Sequence, residues 1–259
     1  MKKIIASILV TIFTITLLQS QNAAPYTPEV YEVVEAMQPV KIDSDWDKKQ
    51  WEKVKYVTIN NYIREEEDRP IFRPAVNAKM AYDNDNIYVI FRVEDKYVRC
   101  ITDRINGPVF RDSAVEFFFS PDVENPLHYF NLEVNCGGTA LMQFHSLLNG
   151  RRETKRLTEE DIGQIEIAHS LPKIVDPEIT EEVTWTIEYR IPLALLQKYS
   201  DVTMPAKGVE WRANFYKIAE NNSNPHHITW SKIDSFWAVH NYSRPNFHIP
   251  EAFGKIVFK

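Results

Sequence analysis

The sequence has few cysteines, no excess of basic residues and, beyond its first two dozen residues, no long apolar run. Only Cys100 and Cys136 are present, so at most one intramolecular disulfide can form. Lys and Arg number 30 against 36 Asp and Glu, giving a net charge of −6. This balance argues against nucleic-acid partners, because phosphate backbones are bound by basic patches. The lack of a later apolar run predicts no membrane span.

The chain begins as exported proteins do. Lys2 and Lys3 precede an apolar run and a small-residue exit, "IIASILVTIFTITLLQSQNAA". This pattern predicts a signal peptide over residues 1–20, with cleavage after Ser20 and, as an alternative, after Ala24. No cysteine follows the run, which argues against a lipoprotein anchor. The mature protein is therefore expected in the periplasm, at the cell surface or outside the cell.

Motifs for metal binding and catalysis are also missing. The histidines near the C-terminal end, His226, His227, His240 and His248, show no H-x-x-x-H spacing, so no zinc ligands are assigned. A haem protein stays open as an alternative, although C-x-x-C-H is absent. So does a glycoside hydrolase, which needs two carboxylates about 5–9.5 Å apart. Within one strand, Asp112 and Glu116 would lie about 13 Å apart, so no catalytic residue is assigned.

Short strands separated by turn residues dominate the rest of the chain. Apolar residues make up 44% and aromatic residues 12%, as in a globular protein. Residues 38–259 are predicted to form a single all-β domain, a two-sheet antiparallel, jelly-roll-like β-sandwich with short helical segments. Residues 21–37 are predicted to be an extended N-terminal segment. The predicted strands are 75–82, 86–95, 113–121, 128–135, 139–146, 164–168, 183–192, 209–219 and 253–258.

Alternation along the strands separates a core face from a polar face. In 129–135, Leu132 and Val134 point towards the core, while Asn131 and Glu133 share the opposite face. Such a face is either ordinary solvent-exposed surface or the floor of a polar binding site. Export makes a Cys100–Cys136 disulfide possible, and two buried free thiols are the alternative. Titrating the thiols of the denatured, unreduced protein distinguishes the two.

Five segments resemble family 9 carbohydrate-binding modules in order and spacing, over roughly residues 38–259. They are "KIDSDWDKKQWEKV", "AKMAYDNDNIYVIFRVED", "DSAVEFFFSP", "WTIEYRIPLALL" and "ITWSKIDSFW…EAFGKIVF". The chain is similar to secreted bacterial proteins built from this one domain. The resemblance implies a β-sandwich that binds a saccharide without catalysis, with structural calcium whose ligands do not map onto this sequence.

In that family a terminal sugar lies between two tryptophans. Phe110, or Val109 with one gap, stands where the first tryptophan is expected, and Trp237 corresponds to the second. The family glutamate corresponds to Glu116. A pyranose has apolar faces and a hydroxyl rim, which suit aromatic rings with a few fixed polar groups. Asn131 and Glu133 complete the candidate site.

These residues predict binding of a mono-, oligo- or polysaccharide, as an accessory to polysaccharide breakdown. Docking to a glycan-degrading complex at the cell surface is compatible with this role. A purely structural or protein-interaction role is the main alternative, because Phe110 replaces a tryptophan.

Overall fold

The structure, a computed structural model, describes residues 26–63, 70–148, 150–233 and 246–259. These residues form sixteen strands and three short α-helices. The strands are β1 (Val30–Glu35), β2 (Val57–Thr58), β3 (Asn61–Tyr62), β4 (Ala75–Tyr82), β5 (Asn86–Asp95), β6 (Val98–Cys100), β7 (Ala114–Ser120), β8 (Tyr129–Asn135), β9 (Ala140–Leu148), β10 (Arg151–Arg156), β11 (Glu166–His169), β12 (Val175–Ile179), β13 (Val183–Pro192), β14 (Glu210–Ala219), β15 (His226–Thr229) and β16 (Gly254–Phe258). The helices are α1 (Lys49–Glu52), α2 (Glu159–Ile162) and α3 (Leu193–Leu196).

Most strands belong to one sheet that curls back on itself. Its order is β10-β9-β8-β7-β14-β16-β1-β4-β5-β13-β11, and β12 pairs separately with β6. β1 joins the two halves, because Val30–Val33 pair with β16 and Val34–Glu35 pair with β4. Both pairings of β1 are parallel, whereas the other ladders are antiparallel among the described strands. The segment predicted as an extended lead-in thus contributes the connecting strand.

The core lies between the two halves of the curled sheet. Phe91 on β5 and Phe215 on β14 meet edge to face at 5.9 Å between ring centroids. Phe117 on β7 stacks on Phe215 at 4.8 Å, and Trp185 on β13 is fully buried. Each such side chain contributes about 1.5–3 kcal/mol by leaving water. This packing confirms the predicted all-β sandwich.

A buried carboxylate holds the segment before α1 against the second half of the sheet. Glu188 on β13 accepts hydrogen bonds from the backbone nitrogens of Asp43 and Ser44 at 2.9 and 2.7 Å. Trp51 Nε1 donates to it at 2.7 Å, and Lys48 Nζ lies 2.6 Å from its Oε1. The Glu188 side chain is fully buried and that of Lys48 is 8% exposed. Four donors therefore stabilise one desolvated charge.

The two cysteines are buried free thiols. Cys100 ends β6, and Cys136 directly follows β8. Cys100 Sγ donates to the carbonyl oxygen of Lys173 at 3.4 Å. The neighbouring Cys136 thiol lowers the pKa of Cys100, whereas Cys100 raises that of Cys136. Since the side chains are in contact, oxidation to the disulfide stays a prediction for the thiol titration.

The predicted signal peptide, residues 1–20, lies outside the described residues, so export stays a prediction. Within the described ranges, no helix is long and apolar enough to cross a membrane.

Candidate functional site

A cavity of about 280 Å³ opens on the outer face of the first half of the sheet. Its floor contains Glu116 and Glu133, and its aromatic lining is Phe110, Phe118 and Phe247. Three of the residues proposed from the sequence therefore meet in one place: Phe110, Glu116 and Glu133. Trp237 lies outside the described residues.

The period-two geometry of β7 and β8 places both floor carboxyls on the cavity side. Glu116 and Glu133 are direct partners across the antiparallel β7–β8 ladder, so their side chains are neighbours. Phe117 and Leu132, the next pair along, point the other way into the core. The sequence predicted the polar face of β8, but the ladder register decides which carboxyls meet.

Asn131 has a supporting position beneath the cavity. Its Nδ2 donates to Glu133 Oε1 at 2.7 Å, and its Oδ1 lies 3.0 Å from His145 Nε2. Thr154 Oγ1 lies 3.1 Å from the other ring nitrogen of His145. Asn131 is fully buried and is not among the lining residues. It therefore orients Glu133, whereas the sequence placed it in direct contact with ligand.

The second oxygen of Glu133 is buried without a hydrogen-bond partner among the described residues. Leaving a desolvated carboxyl oxygen unpaired costs about 1–3 kcal/mol, which a ligand hydroxyl would recover. Because this oxygen belongs to a residue lining the cavity, it marks the point where a polar ligand is expected to bind.

Burial shifts the acid–base behaviour of both floor residues. It raises the pKa of Glu133 to about 7, although the hydrogen bond from Asn131 and the charge of Arg156 act in the opposite direction. The pKa of Glu116 lies well above its usual range, first through burial and then through the charge of Glu133. Near neutral pH, protonation of Glu116 is therefore favoured and Glu133 is about half protonated, so the floor can donate as well as accept.

Stacked rings stabilise the wall beside these carboxyls. Tyr129 stacks on His145 at 4.6 Å with an 8° interplanar angle, and Tyr216 stacks on Phe247 at 4.2 Å. His248 lies 5.1 Å from Phe118 between ring centroids. Burial lowers the pKa of His145 to about 3 and that of His248 to about 4, so both imidazoles are neutral.

The neighbouring histidines of β15 point in opposite directions. His226 is buried, with Nε2 2.8 Å from Lys217 Nζ, and Lys217 in turn pairs with Asp95 at 3.2 Å. His227 lines the cavity, with Nε2 3.8 Å from Glu220 Oε1. Among the described residues, no three His, Cys, Asp or Glu side chains gather as metal ligands. The structural calcium implied by the resemblance therefore stays a prediction, and no step below uses it.

Asp112, considered as a catalytic acid, has a structural role. Its carboxylate accepts from the backbone nitrogens of Ile101 and Thr102 at 3.3 and 3.0 Å, and from Asn135 Nδ2 at 2.8 Å. It ties the segment after β6 to the end of β8 and does not line the cavity.

Comparison with known protein families shows to which of them the chain belongs. The sequence model of carbohydrate-binding family 9 matches residues 43–258. The chain belongs to carbohydrate-binding family 9. This agrees with the order of motifs noted in the sequence. No curated protein is similar to the chain at a significant level.

Solved structures with the family 9 fold span nearly the whole chain. A candidate carbohydrate-binding protein from Bacteroides uniformis ATCC 8492 is 25% identical, with a TM-score of 0.74 over 90% of this chain and 100% of that one. A family 9 module from Caldicellulosiruptor kristjanssonii in complex with cellotriose is 16% identical, with a TM-score of 0.58 over 89% of this chain and 94% of the module. Its glucose complex has the same identity and TM-score.

Proposed function

We propose that the cavity binds a saccharide, without catalysis, through one aromatic face and the carboxyl floor. The main support is Oε2 of Glu133, which is buried, has no hydrogen-bond partner among the residues that the structure describes, and belongs to a side chain lining the cavity of a family 9 chain. Two structures similar to this one contain cellotriose and glucose. A cavity of about 280 Å³ is at the small end of ligand pockets, in keeping with one or two sugar units.

Each part of the site has a role in this proposal. Phe110 is half-buried at the cavity and offers its ring to the apolar face of a pyranose. Glu133 and Glu116 bind the hydroxyl rim, while Asn131 orients Glu133. Trp237 is proposed as the second stacking ring, because it corresponds to a family tryptophan. Export and an accessory role in polysaccharide breakdown, free or docked at the cell surface, complete the proposal.

Removing either stacking ring tests this function. We expect Phe110→Ala to weaken binding about tenfold and Trp237→Ala to abolish it at millimolar sugar, with the fold unchanged. A glycan array with and without calcium identifies a ligand, and titration calorimetry compares the variants. Tyr56→Ala is the control, because Tyr56 is 57% exposed and packs against Trp46. The proposal is wrong if no saccharide binds, and the stacking roles are wrong if all three variants match the parent protein.

The carboxyl pair supports glycoside hydrolysis as a second candidate. Directly opposed residues of an antiparallel pair have Cβ atoms about 4.5–5.5 Å apart, close to the separation in retaining glycosidases. However, both carboxyls lie side by side on the floor, under one face of a sugar. A hydrolase would need them on either side of the scissile bond. Release of new reducing ends from a bound oligosaccharide would favour this candidate.

A further inference from the structure

The edge strand β10 is a basic strip beside the cavity. Its sequence, RRETKR, has four cationic side chains and one acidic one, in a chain whose net charge is −6. All six residues are exposed, and β10 ends the sheet order next to β9. Charged residues on an edge strand commonly prevent aggregation between sheets. That role does not require the charged side chains to point towards a cavity.

Alternation turns Arg152, Thr154 and Arg156 towards the cavity. Thr154 contacts His145, which lies beneath the site, at 3.1 Å. The Arg152 guanidinium lies 5.8 Å from the centroid of the Tyr129 ring, and Arg156 lines the cavity itself. The other three side chains, led by Arg151, point to the opposite face.

The two guanidinium groups have no acidic partner in the part of the chain that the structure describes. Neither forms an ion pair with any residue in the described ranges, whereas other arginines do. Examples are Arg92 with Glu94 at 2.8 Å and Arg190 with Glu166 at 3.2 Å. Their charges nevertheless act on the site. Arg156 lowers the pKa of Glu133, opposing the larger effect of burial. Arg152 lowers the pKa of His248, adding to the larger effect of burial.

The opposite wall of the cavity carries an acidic residue. Glu220, which directly follows β14, lies there beside His227 of β15. Between the two walls, the raised pKa values of Glu116 and Glu133 reduce the negative charge of the floor. A ligand with one anionic group would therefore be oriented with that group towards β10 and away from Glu220.

We infer that the saccharide bound here is acidic, with a carboxylate or a sulfate ester held by Arg156 and Arg152. Guanidinium groups suit both anions, because their planar N–H donors match two oxygens at once. The two arginines are four residues apart on the strand, about 13 Å, so Arg156 at the cavity can hold the anion of the bound sugar unit while Arg152 reaches that of the next unit. This inference rests on the proposed function, since it names the ligand class of the same site.

Matched pairs of glycans test the inference by titration calorimetry. Oligosaccharides of glucuronic, galacturonic and mannuronic acid are compared with their carboxyl-reduced, neutral forms, and sulfated oligosaccharides with their desulfated forms. We expect at least one acidic member to bind about tenfold more tightly than its neutral partner. The advantage should shrink when the salt concentration is raised from about 0.05 M to about 0.5 M.

Variants of β10 identify the groups responsible. Arg156→Gln and Arg152→Gln should each reduce the advantage of the acidic glycan, whereas Arg151→Gln, on the opposite face of the same strand, should leave it unchanged. Equal affinity within every pair, with neutral sugars still bound, would overturn the acidic class and leave the proposed function intact. An equal loss in all three variants would overturn the role of the facing arginines. Binding of no glycan at all would overturn both proposals.

Discussion

Replacing Glu133 with alanine is expected to weaken saccharide binding by about 10- to 100-fold, whereas glutamine is expected to keep most of it. Alanine removes Oε2, which has no partner within the described ranges. It also removes Oε1, the acceptor to which Asn131 Nδ2 donates at 2.7 Å. Glutamine has nearly the shape of a protonated carboxyl, with a carbonyl oxygen that accepts and an NH₂ group that donates in place of the hydroxyl. Titration calorimetry near pH 6 measures both variants.

The glutamine substitution at Glu133 should also remove a pH dependence of saccharide affinity. The pKa of Glu133 is about 7, and a bound sugar that excludes water would raise it further. Above pH 7, binding must then take up a proton, so affinity should fall by up to about tenfold per pH unit, while below pH 7 it should be nearly constant. Glu133→Gln should lack the step near pH 7, even though Glu116 can still titrate at higher pH.

The stability of the free protein gives an independent readout. The folded-state pKa of Glu133 is raised from 4.5 to about 7, so its protonation stabilises the fold. That contribution is complete below pH 4.5 and is lost as the pH rises through about 7. Relative to Glu133→Gln, the parent protein should thus lose stability across this interval. Glu153→Gln, an exposed change on the face of β10 opposite the cavity, is the control. Identical pH profiles for the parent protein and Glu133→Gln would contradict the protonated floor.

Replacing Glu188 with alanine is expected to lower the free energy of unfolding by about 3–5 kcal/mol. The change would leave the Lys48 ammonium, 8% exposed, and the Trp51 indole N–H without their buried acceptor. The backbone nitrogens of Asp43 and Ser44 would lose the same partner. Because these groups hold the segment before α1 on the sheet, the segment should detach early in unfolding. Urea denaturation measures the loss.

An exposed ion pair on the same half of the sheet gives the matched control. Glu166 on β11 pairs with Arg190 at 3.2 Å, and both side chains are more than a third exposed. Glu166→Ala should cost at most about 1 kcal/mol, because exposed pairs are screened by solvent. Glu188→Ala should leave the saccharide affinity of the folded protein unchanged, since Glu188 belongs to the half opposite the cavity. A loss no larger than that of Glu166→Ala would contradict the role assigned to the network.

Strands with alternating or apolar sequences were predictable. The predicted ranges 75–82, 86–95 and 183–192 agree with β4, β5 and β13 at both ends. β10 was missed, because RRETKR has no apolar period and forms a strand only by pairing with β9. β15 is absent from the strands predicted above, because its two adjacent histidines give no clear period. Its pairing with β14 and the burial of His226 establish it as a strand.

By itself, the sequence determined the fold class, the polar face of β8 and the family to which the chain belongs. Alternation and the order of motifs are properties of the sequence itself, so they can be recognised before the partners of each strand are known. Only the tertiary structure decided that Glu116 faces Glu133, that Asn131 supports the floor from below, and that Arg156 lines the cavity. Those relations depend on register between strands distant in sequence, and a shift of one residue would turn each side chain to the other face.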